Sequence, residues 1–330
     1  MKKLSVIIPC YNEAEGRIPE VAYNRLLKVM KSMENYEYEF IFVNDGSKDD
    51  TLLILKELAE KDQNVKVLSF SRNFGHQCAV TAGLKKVTGN ACIIIDADMQ
   101  DPPELIPEMV KLWEEGNDVV YGKRRSRDGE SAFKLLTANA FYSFLNYMSD
   151  VDIPQNTGDF RLVDRKVVDK MNSLPEHSKF LRGLWAWLGY KQKELEYDRA
   201  ERFAGTTHYP LKKMLKLASD GIYSFSSKPV KAIGLVGVIF LIFAFVSFCG
   251  TIISVIVGGP TFNWFIVSAL CFIGGINMFA LYLLGNYIIR IYDEAKGRPQ
   301  FVVDEEINWF QQSGPYGLLF IFDMDYTHFV

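Results

Sequence analysis

Short apolar runs rich in β-branched residues recur through the N-terminal part of the chain, at 4–9, 40–44, 65–70, 91–95 and 118–121. They are continuous rather than alternating, the pattern of strands buried on both faces of a parallel sheet. Helical stretches lie between them, over 20–33, 51–61, 75–87 and 103–115. The alternation predicts an α/β fold with a doubly wound, mostly parallel sheet. Ligands of such sheets bind beyond the carboxyl ends of the strands. The informative residues are therefore those just after each run: Tyr11-Asn12-Glu13, Asp45-Gly46-Ser47, Arg72-Asn73-Phe74-Gly75 and Asp96-Ala97-Asp98.

The pattern changes abruptly further on. Between Lys231 and Arg290 there is no Asp, Glu, Lys or Arg. The apolar segments 232–257 and 265–289, separated by Gly258-Gly259-Pro260, each exceed the roughly 20 residues that cross a bilayer. Buried core helices rarely need two uninterrupted apolar runs of this length. Lys228 and Lys231 precede the first span, and Arg290, Lys296 and Arg298 follow the second. Both outer ends of this transmembrane hairpin are expected on the cytoplasmic side.

Two amphipathic stretches suggest interface helices beside it. In 211–225, Leu211, Leu215, Ala218, Ile222 and Phe225 share one face while Lys212, Lys213 and Lys216 lie elsewhere. In 131–150 a narrow stripe of Asn139, Ser143, Asn146 and Asp150 is surrounded by apolar residues, which suits a membrane surface or a core helix. The expected division is a transferase-like domain 1–210, a juxtamembrane helix 211–231, the hairpin 232–290 and a cytosolic tail 291–330.

Composition sharpens this. The 330 residues are 48% hydrophobic and 23% charged with a formal net charge of -3, which excludes a disordered chain. The mean hydropathy of +0.01 averages two unlike populations, a polar head and a charge-free hairpin. From Arg199 to Lys231, seven Lys and Arg against Glu201 and Asp220 leave a local net of +5. No basic run interleaved with aromatics points to nucleic acid. The N-terminal run is too short, and too soon polar, for a secretory signal. Five cysteines without C-x-x-C spacing read as reduced structural thiols.

None of the strand-end segments contains G-x-G-x-x-G or G-x-x-x-x-G-K-[ST], so neither a dehydrogenase-type dinucleotide site nor a P-loop is supported. A phosphate there needs other neutralisation. Asp98, with Asp96 nearby, could hold a divalent cation, because Mg²⁺ and Mn²⁺ bind through one or two carboxylates plus substrate phosphates.

Four segments carry a family resemblance: Ser5-Val6-Ile7-Ile8-Pro9-Cys10-Tyr11-Asn12-Glu13, Val43-Asn44-Asp45-Gly46-Ser47-Lys48-Asp49-Asp50-Thr51, Arg72-Asn73-Phe74-Gly75-His76-Gln77 and Asp96-Ala97-Asp98-Met99-Gln100-Asp101. In this order, ahead of a terminal hairpin, they resemble the inverting nucleotide-sugar glycosyltransferases of the GT-A fold, glycosyltransferase family 2. More narrowly they resemble its polyprenyl-phosphate branch, which includes dolichol-phosphate mannose synthase and bactoprenol glucosyltransferases. The resemblance implies that Pro9, Tyr11, Glu13 and Asp45 line the nucleotide pocket, with Asp96 supporting the nucleotide and Asp98 and Gln100 as ligands of Mg²⁺ or Mn²⁺. It also implies that Asp98 and Asp159, the latter in Asn156-Thr157-Gly158-Asp159-Phe160-Arg161, are the catalytic carboxylates.

For Asp159 several roles stay open: general base, orientation of the acceptor or help to the metal. A phosphomonoester acceptor, with a second pKa near about 6, barely needs a base. Its ordinary alternative is a turn or a helix cap, as it is for Asp45-Gly46-Ser47. Arg124, Arg125 and Arg127, in a basic patch placed after the fifth strand, and Arg202 suit an acceptor or donor phosphate; a basic surface facing anionic lipid is the competing reading. His76 reads as a structural histidine at a helix start.

The implied activity is transfer of a hexose, glucose from UDP-glucose, to undecaprenyl phosphate, with N-acetylglucosamine, mannose or an aminoarabinose as alternative sugars. The implied location is the bacterial cytoplasmic membrane, and a homo-oligomer, as large as a tetramer, fits the family. A processive polysaccharide synthase would need Q-x-x-R-W, which Arg182-Gly183-Leu184-Trp185 matches only superficially. A non-catalytic sugar-nucleotide binder would not need Asp96-Ala97-Asp98 and Gly158-Asp159 intact.

Overall fold

A computed structural model describes residues 1–125, 157–176, 179–198 and 263–309, with the single positions 239 and 256. In chain order the head begins with strand β1 (Lys2–Cys10), helix α1 (Ile18–Ser32), β2 (Tyr36–Asn44), α2 (Thr51–Lys61), β3 (Val65–Phe70) and α3 (His76–Lys86). It continues with β4 (Ala91–Ile94), α4 (Ile106–Glu114) and β5 (Val119–Arg124). Then come β6 (Thr157–Asp164), α5 (Arg165–Ser173), α6 (Leu181–Trp187), β7 (Gln192–Tyr197), the long helix α7 (Asn263–Ala295) and β8 (Val303–Ile307).

The strands form one eight-stranded sheet in the order β7-β5-β6-β4-β1-β2-β3-β8. β4, β1, β2 and β3 run parallel, as the continuous apolar runs require. β6 is antiparallel to both β4 and β5, and β8 is antiparallel to β3. Two apolar cores fill the two faces. Leu26 and Met30 of α1, Leu55 and Leu58 of α2 and Met109 of α4 pack on one. Ala79 and Val80 of α3, Val167 and Met171 of α5 and Leu184 and Trp185 of α6 pack on the other. Such double coverage is what makes strands apolar at every position.

Several expectations need correction. The basic patch does not follow β5, because Lys123 and Arg124 lie within it, where they pair with β7. The 103–115 segment divides into a short 3-10 turn, Pro103–Leu105, and α4. Gly158-Asp159 is strand, not a turn. The segment 291–330, expected as a separate tail, is in part joined to the head, since Val303–Ile307 extends its sheet. Buried Glu39, at the amino end of the sheet, ties β2 to Lys3, Lys66 and Thr88.

Helix α7 is a single run of 33 residues. Taken over the described positions alone, no helix reaches the length and apolarity of a membrane crossing; the full sequence of α7, however, is charge-free from Asn263 to Ile289. Ile266, Leu270, Phe279, Leu281 and Ile288 are exposed on it. The stretches 131–150 and 211–231 expected as interface helices, most of the expected first span, Arg127, Arg202 and residues 310–330 lie outside the described residues.

Candidate active site

The carboxyl ends of β1 to β4 converge on one edge of the sheet, and their loops are stitched together by side chains. The Asn12 amide N–H donates to Ser47 Oγ (3.0 Å) and its Oδ1 accepts from the Lys48 amide (2.9 Å). Gly46 sits at φ +62°, where a Cβ would lie 2.2 Å from the backbone carbon of Arg72, so only glycine fits. Pro9 is buried at the end of β1, Tyr11 is exposed above it, and Glu13 is half-buried with its amide on Thr51 Oγ1. Asp45 is 3% exposed and accepts from the amides of Phe74 (2.7 Å) and Gly75 (2.9 Å) and from Asn73 Nδ2 (2.9 Å). Burial pushes its pKa up against these donors. Its carboxylate thus shapes the 72–75 loop.

Register brings the two halves of the site together. β4 and β6 pair Ala91 with Asp164 through Ile94 with Arg161. Continuing that antiparallel count sets Asp159 opposite Asp96. Strand alternation puts Asp159, Arg161 and Val163 on one face, which is the face that α3 and α6 cover.

Those helices supply the cations. Arg182 forks onto Asp159, Nε to Oδ1 at 2.8 Å and Nη2 to Oδ2 at 3.0 Å. From the start of α3, His76 Nε2 lies 3.2 Å from Asp159 Oδ2 and 3.7 Å from Asp96 Oδ1. Burial alone would raise the pKa of Asp159, but the charge of Arg182 and the bonds from His76 and Arg182 hold it well below the usual carboxylate range. Burial works to lower His76, and the carboxylates of Asp159 and Asp96 override it, bringing it up to about 9. Asp96 goes the other way, to about 6, because burial and the charges of Asp159, Asp101 and Asp98 outweigh His76. Arg161 is buried, donates to the Gly158 carbonyl (3.0 Å) and lies 5.5 Å from the Trp185 ring. His76, Asp159, Arg161, Leu181 and Trp185 line a small cavity.

Among the three aspartates after β4, Asp101 is turned inward. It is 2% exposed and accepts from Tyr197 Oη and from Arg124 Nη2 (3.4 Å). Arg124 is therefore tied to Asp101 at the cleft wall, and a Cβ on Gly158 would come within 2.9 Å of its Nη2. Arg125 is exposed, near Glu196 (3.7 Å) and Asp198 (3.8 Å). Asp96, Asp98 and Gln100 are only half-buried at the strand end. Carboxylate and amide oxygens are hard donors that suit Mg²⁺ or Mn²⁺. Among the described residues no group of three or more His, Cys, Asp or Glu could hold a metal by itself. A cation here fits one or two protein carboxylates, with phosphate oxygens completing the shell.

His76 and Arg182 are the site residues that sequence reasoning missed. The signal available was electrostatic: Asp96 and Asp159 brought together need cations, and Arg182-x-x-Trp185 was the arginine motif at hand.

A mostly parallel α/β sheet with carboxylates gathered at its carboxyl edge is consistent with the GT-A class of sugar-transferring enzymes. The chain belongs to glycosyl transferase family 2, whose profile matches residues 5–171, and it is a glycosyltransferase. An uncharacterized glycosyltransferase of Bacillus subtilis (strain 168), YkcC, is 50% identical over 305 residues, 91% of this chain and 93% of that one. The prophage bactoprenol glucosyl transferase homolog of Escherichia coli (strain K12) is 39% identical over 303 residues, 91% and 98% of the two chains. The bactoprenol glucosyl transferase of Shigella phage SfV is 38% identical over 306 residues, 92% and 99%. A solved structure of glucosyl-3-phosphoglycerate synthase from Mycobacterium tuberculosis aligns at 18% identity with a TM-score of 0.44, over 67% and 78% of the two chains; that likeness is too distant to bear on the chemistry.

Proposed function

We propose that the protein transfers one glucose from UDP-glucose to a polyprenyl phosphate, undecaprenyl phosphate, with inversion, at the cytoplasmic face of the bacterial inner membrane. The observation that carries the acceptor class is the state of Asp159, whose two oxygens are occupied by Arg182 and His76. A carboxylate held so far below its usual pKa is a poor proton acceptor at neutral pH. It suits an acceptor that arrives ionised, as a phosphate does, and not a sugar hydroxyl that must be deprotonated. The glucose and the lipid follow from the names of the bactoprenol-acting relatives, which align over nine-tenths of the chain.

In this reading the loops after β1 and β2, with Pro9, Tyr11, Glu13 and Asp45, take the nucleotide, and Asp96 supports it. Asp98 and Gln100 would hold Mg²⁺ or Mn²⁺, which supplies charge stabilisation to a departing nucleoside diphosphate. Arg182 and His76 keep Asp159 fixed and ionised beside the anomeric carbon. Arg124 and Arg125, with Arg127 and Arg202, meet phosphate oxygens. The acceptor oxygen attacks the anomeric carbon as the bond to the diphosphate breaks.

The return of the chain supports a membrane hairpin. The head and β8 share one sheet, so the apolar segments between them begin and end on the same side of any bilayer they enter. The exposed apolar side chains of α7 also need a cover that water does not provide. A homo-oligomer formed through these helices belongs to the same reading.

The test is incubation of the full-length protein in detergent with labelled UDP-glucose, Mg²⁺ or Mn²⁺ and undecaprenyl phosphate, with UDP-N-acetylglucosamine and GDP-mannose in parallel. Label from UDP-glucose should move to the organic phase, stop with EDTA, and be absent in Asp98→Ala. Transfer only from another donor would overturn the sugar, and no transfer from any donor would overturn the function.

A further inference from the structure

Residues 300–302, shortly after α7, touch α3, which carries His76, and the segment that precedes α6, which carries Arg182. Gln300 Nε2 donates to the Glu176 carbonyl (2.7 Å), on the segment leading into α6. The Gln300 carbonyl accepts from Cys78 Sγ (3.7 Å), two residues beyond His76 on α3. Phe301 stacks on Phe70 with centroids 5.0 Å apart and planes at 15°. Phe70 in turn meets Phe74 edge-on at 5.7 Å, and Phe74 gives its amide to Asp45. Val302 then accepts from the Ser71 amide (3.1 Å) as β8 begins. Inside this frame Gln77 Oε1 accepts from the Leu181 amide (3.0 Å), which joins the start of α3 to the start of α6.

We propose that Gln300–Val302 is a positioning strap: by clamping the 70–74 loop, α3 and the approach to α6, it holds His76 and Arg182 in register with Asp159. The inference rests on the proposed transfer reaction for its kinetic readout. Gln300 and Phe301 are positioning residues, since they act through His76 and Arg182. Errors of about 1 Å at a reacting centre can cost about 10²-fold in rate, while binding contacts elsewhere are kept.

An edge strand that merely stabilised the sheet would act alike along its whole length. Trp309, at the far end of the same segment, bonds the Val67 carbonyl through Nε1 (3.0 Å) and serves as the control. Full-length Phe301→Ala, Phe301→Tyr, Gln300→Ala and Trp309→Ala are compared with the parent for kcat, donor KM and hydrogen exchange. The expected result is a kcat about tenfold lower in Phe301→Ala with donor KM within about twofold, recovery in Phe301→Tyr, and a kcat near the parent in Trp309→Ala. Exchange in Phe301→Ala should quicken at 73–78 and 180–184 while β1 and β2 stay protected. A kcat for Phe301→Ala no lower than that of Trp309→Ala would overturn the strap, and so would exchange that rises equally through β1 and β2. If Phe301→Ala does not fold, Gln300→Ala is judged by the same criteria. If the parent transfers no sugar, the function fails, and the exchange pattern still decides the strap.

Discussion

The ion pair between Arg182 and Asp159 supports a worked prediction. Arg182→Gln removes two charge-assisted hydrogen bonds, at 2.8 and 3.0 Å, each of a kind that contributes about 1.5–3 kcal/mol when buried. The side chains are 25% and 17% exposed, so water replaces part of what is lost. The net cost to stability should be about 2–3 kcal/mol, below the full penalty for stranding a buried charge. Arg182→Lys keeps the charge but not the fork and should lose about 1 kcal/mol. His76 then faces Asp159 and Asp96 alone, the Asp159 carboxylate is freed to turn, and kcat should fall about 10²-fold with donor KM nearly unchanged. Urea unfolding of the detergent-solubilised chain and steady-state transfer kinetics measure the two effects. A cost under about 0.5 kcal/mol with kcat within twofold of the parent would refute the reasoning, as would a loss confined to donor KM.

Other predictions address different links. His76, with its pKa raised to about 9, contributes its ion pair with Asp159 fully below its ordinary value of 6.5 and loses it as pH rises through about 9. The kcat of the parent should therefore decline over that alkaline range, and an identical decline in His76→Gln would contradict the assignment. Glu39 is 1% exposed; burial would raise its pKa, but Lys66, Ser5 and Lys3 hold it at about 2 against an ordinary 4.5. Its contribution, about 3 kcal/mol, is complete above pH 4.5 and is lost as pH falls toward 2, so unfolding curves of Glu39→Gln should lack that acid-dependent term. Gly46→Ala places a Cβ at 2.2 Å from backbone at a left-handed position and should cost about 2–4 kcal/mol in unfolding free energy; a parent-like midpoint would count against the loop packing described.

How much was legible depended on where burial left its mark. β1 to β4 are covered on both faces, so each strand announced itself as an apolar run. β7 and β8 are edges: Gln192–Tyr197 and Val303–Ile307 expose alternate charged side chains, and acidic strands have little propensity of their own. β8 is held by partners far away in sequence, including Lys86 on Glu306 (2.9 Å) and Trp309 on the Val67 carbonyl. Asp98 stood out as a carboxylate just after a strand, and Asp159 was singled out through the family resemblance. His76 and Arg182 could not, since their meeting with Asp159 depends on the β4–β6 register and on which face α3 and α6 cover. Asp45 was legible as a position but not as a role, because its carboxylate is taken up by amides of a loop that follows a different strand.

Mass spectrometry of the lipid product tests the central claim most directly. Full-length protein given UDP-glucose and undecaprenyl phosphate should yield a single new lipid, heavier by one hexose and linked through the phosphate. A ladder of successive hexoses, or free glucose with unmodified lipid, would contradict it.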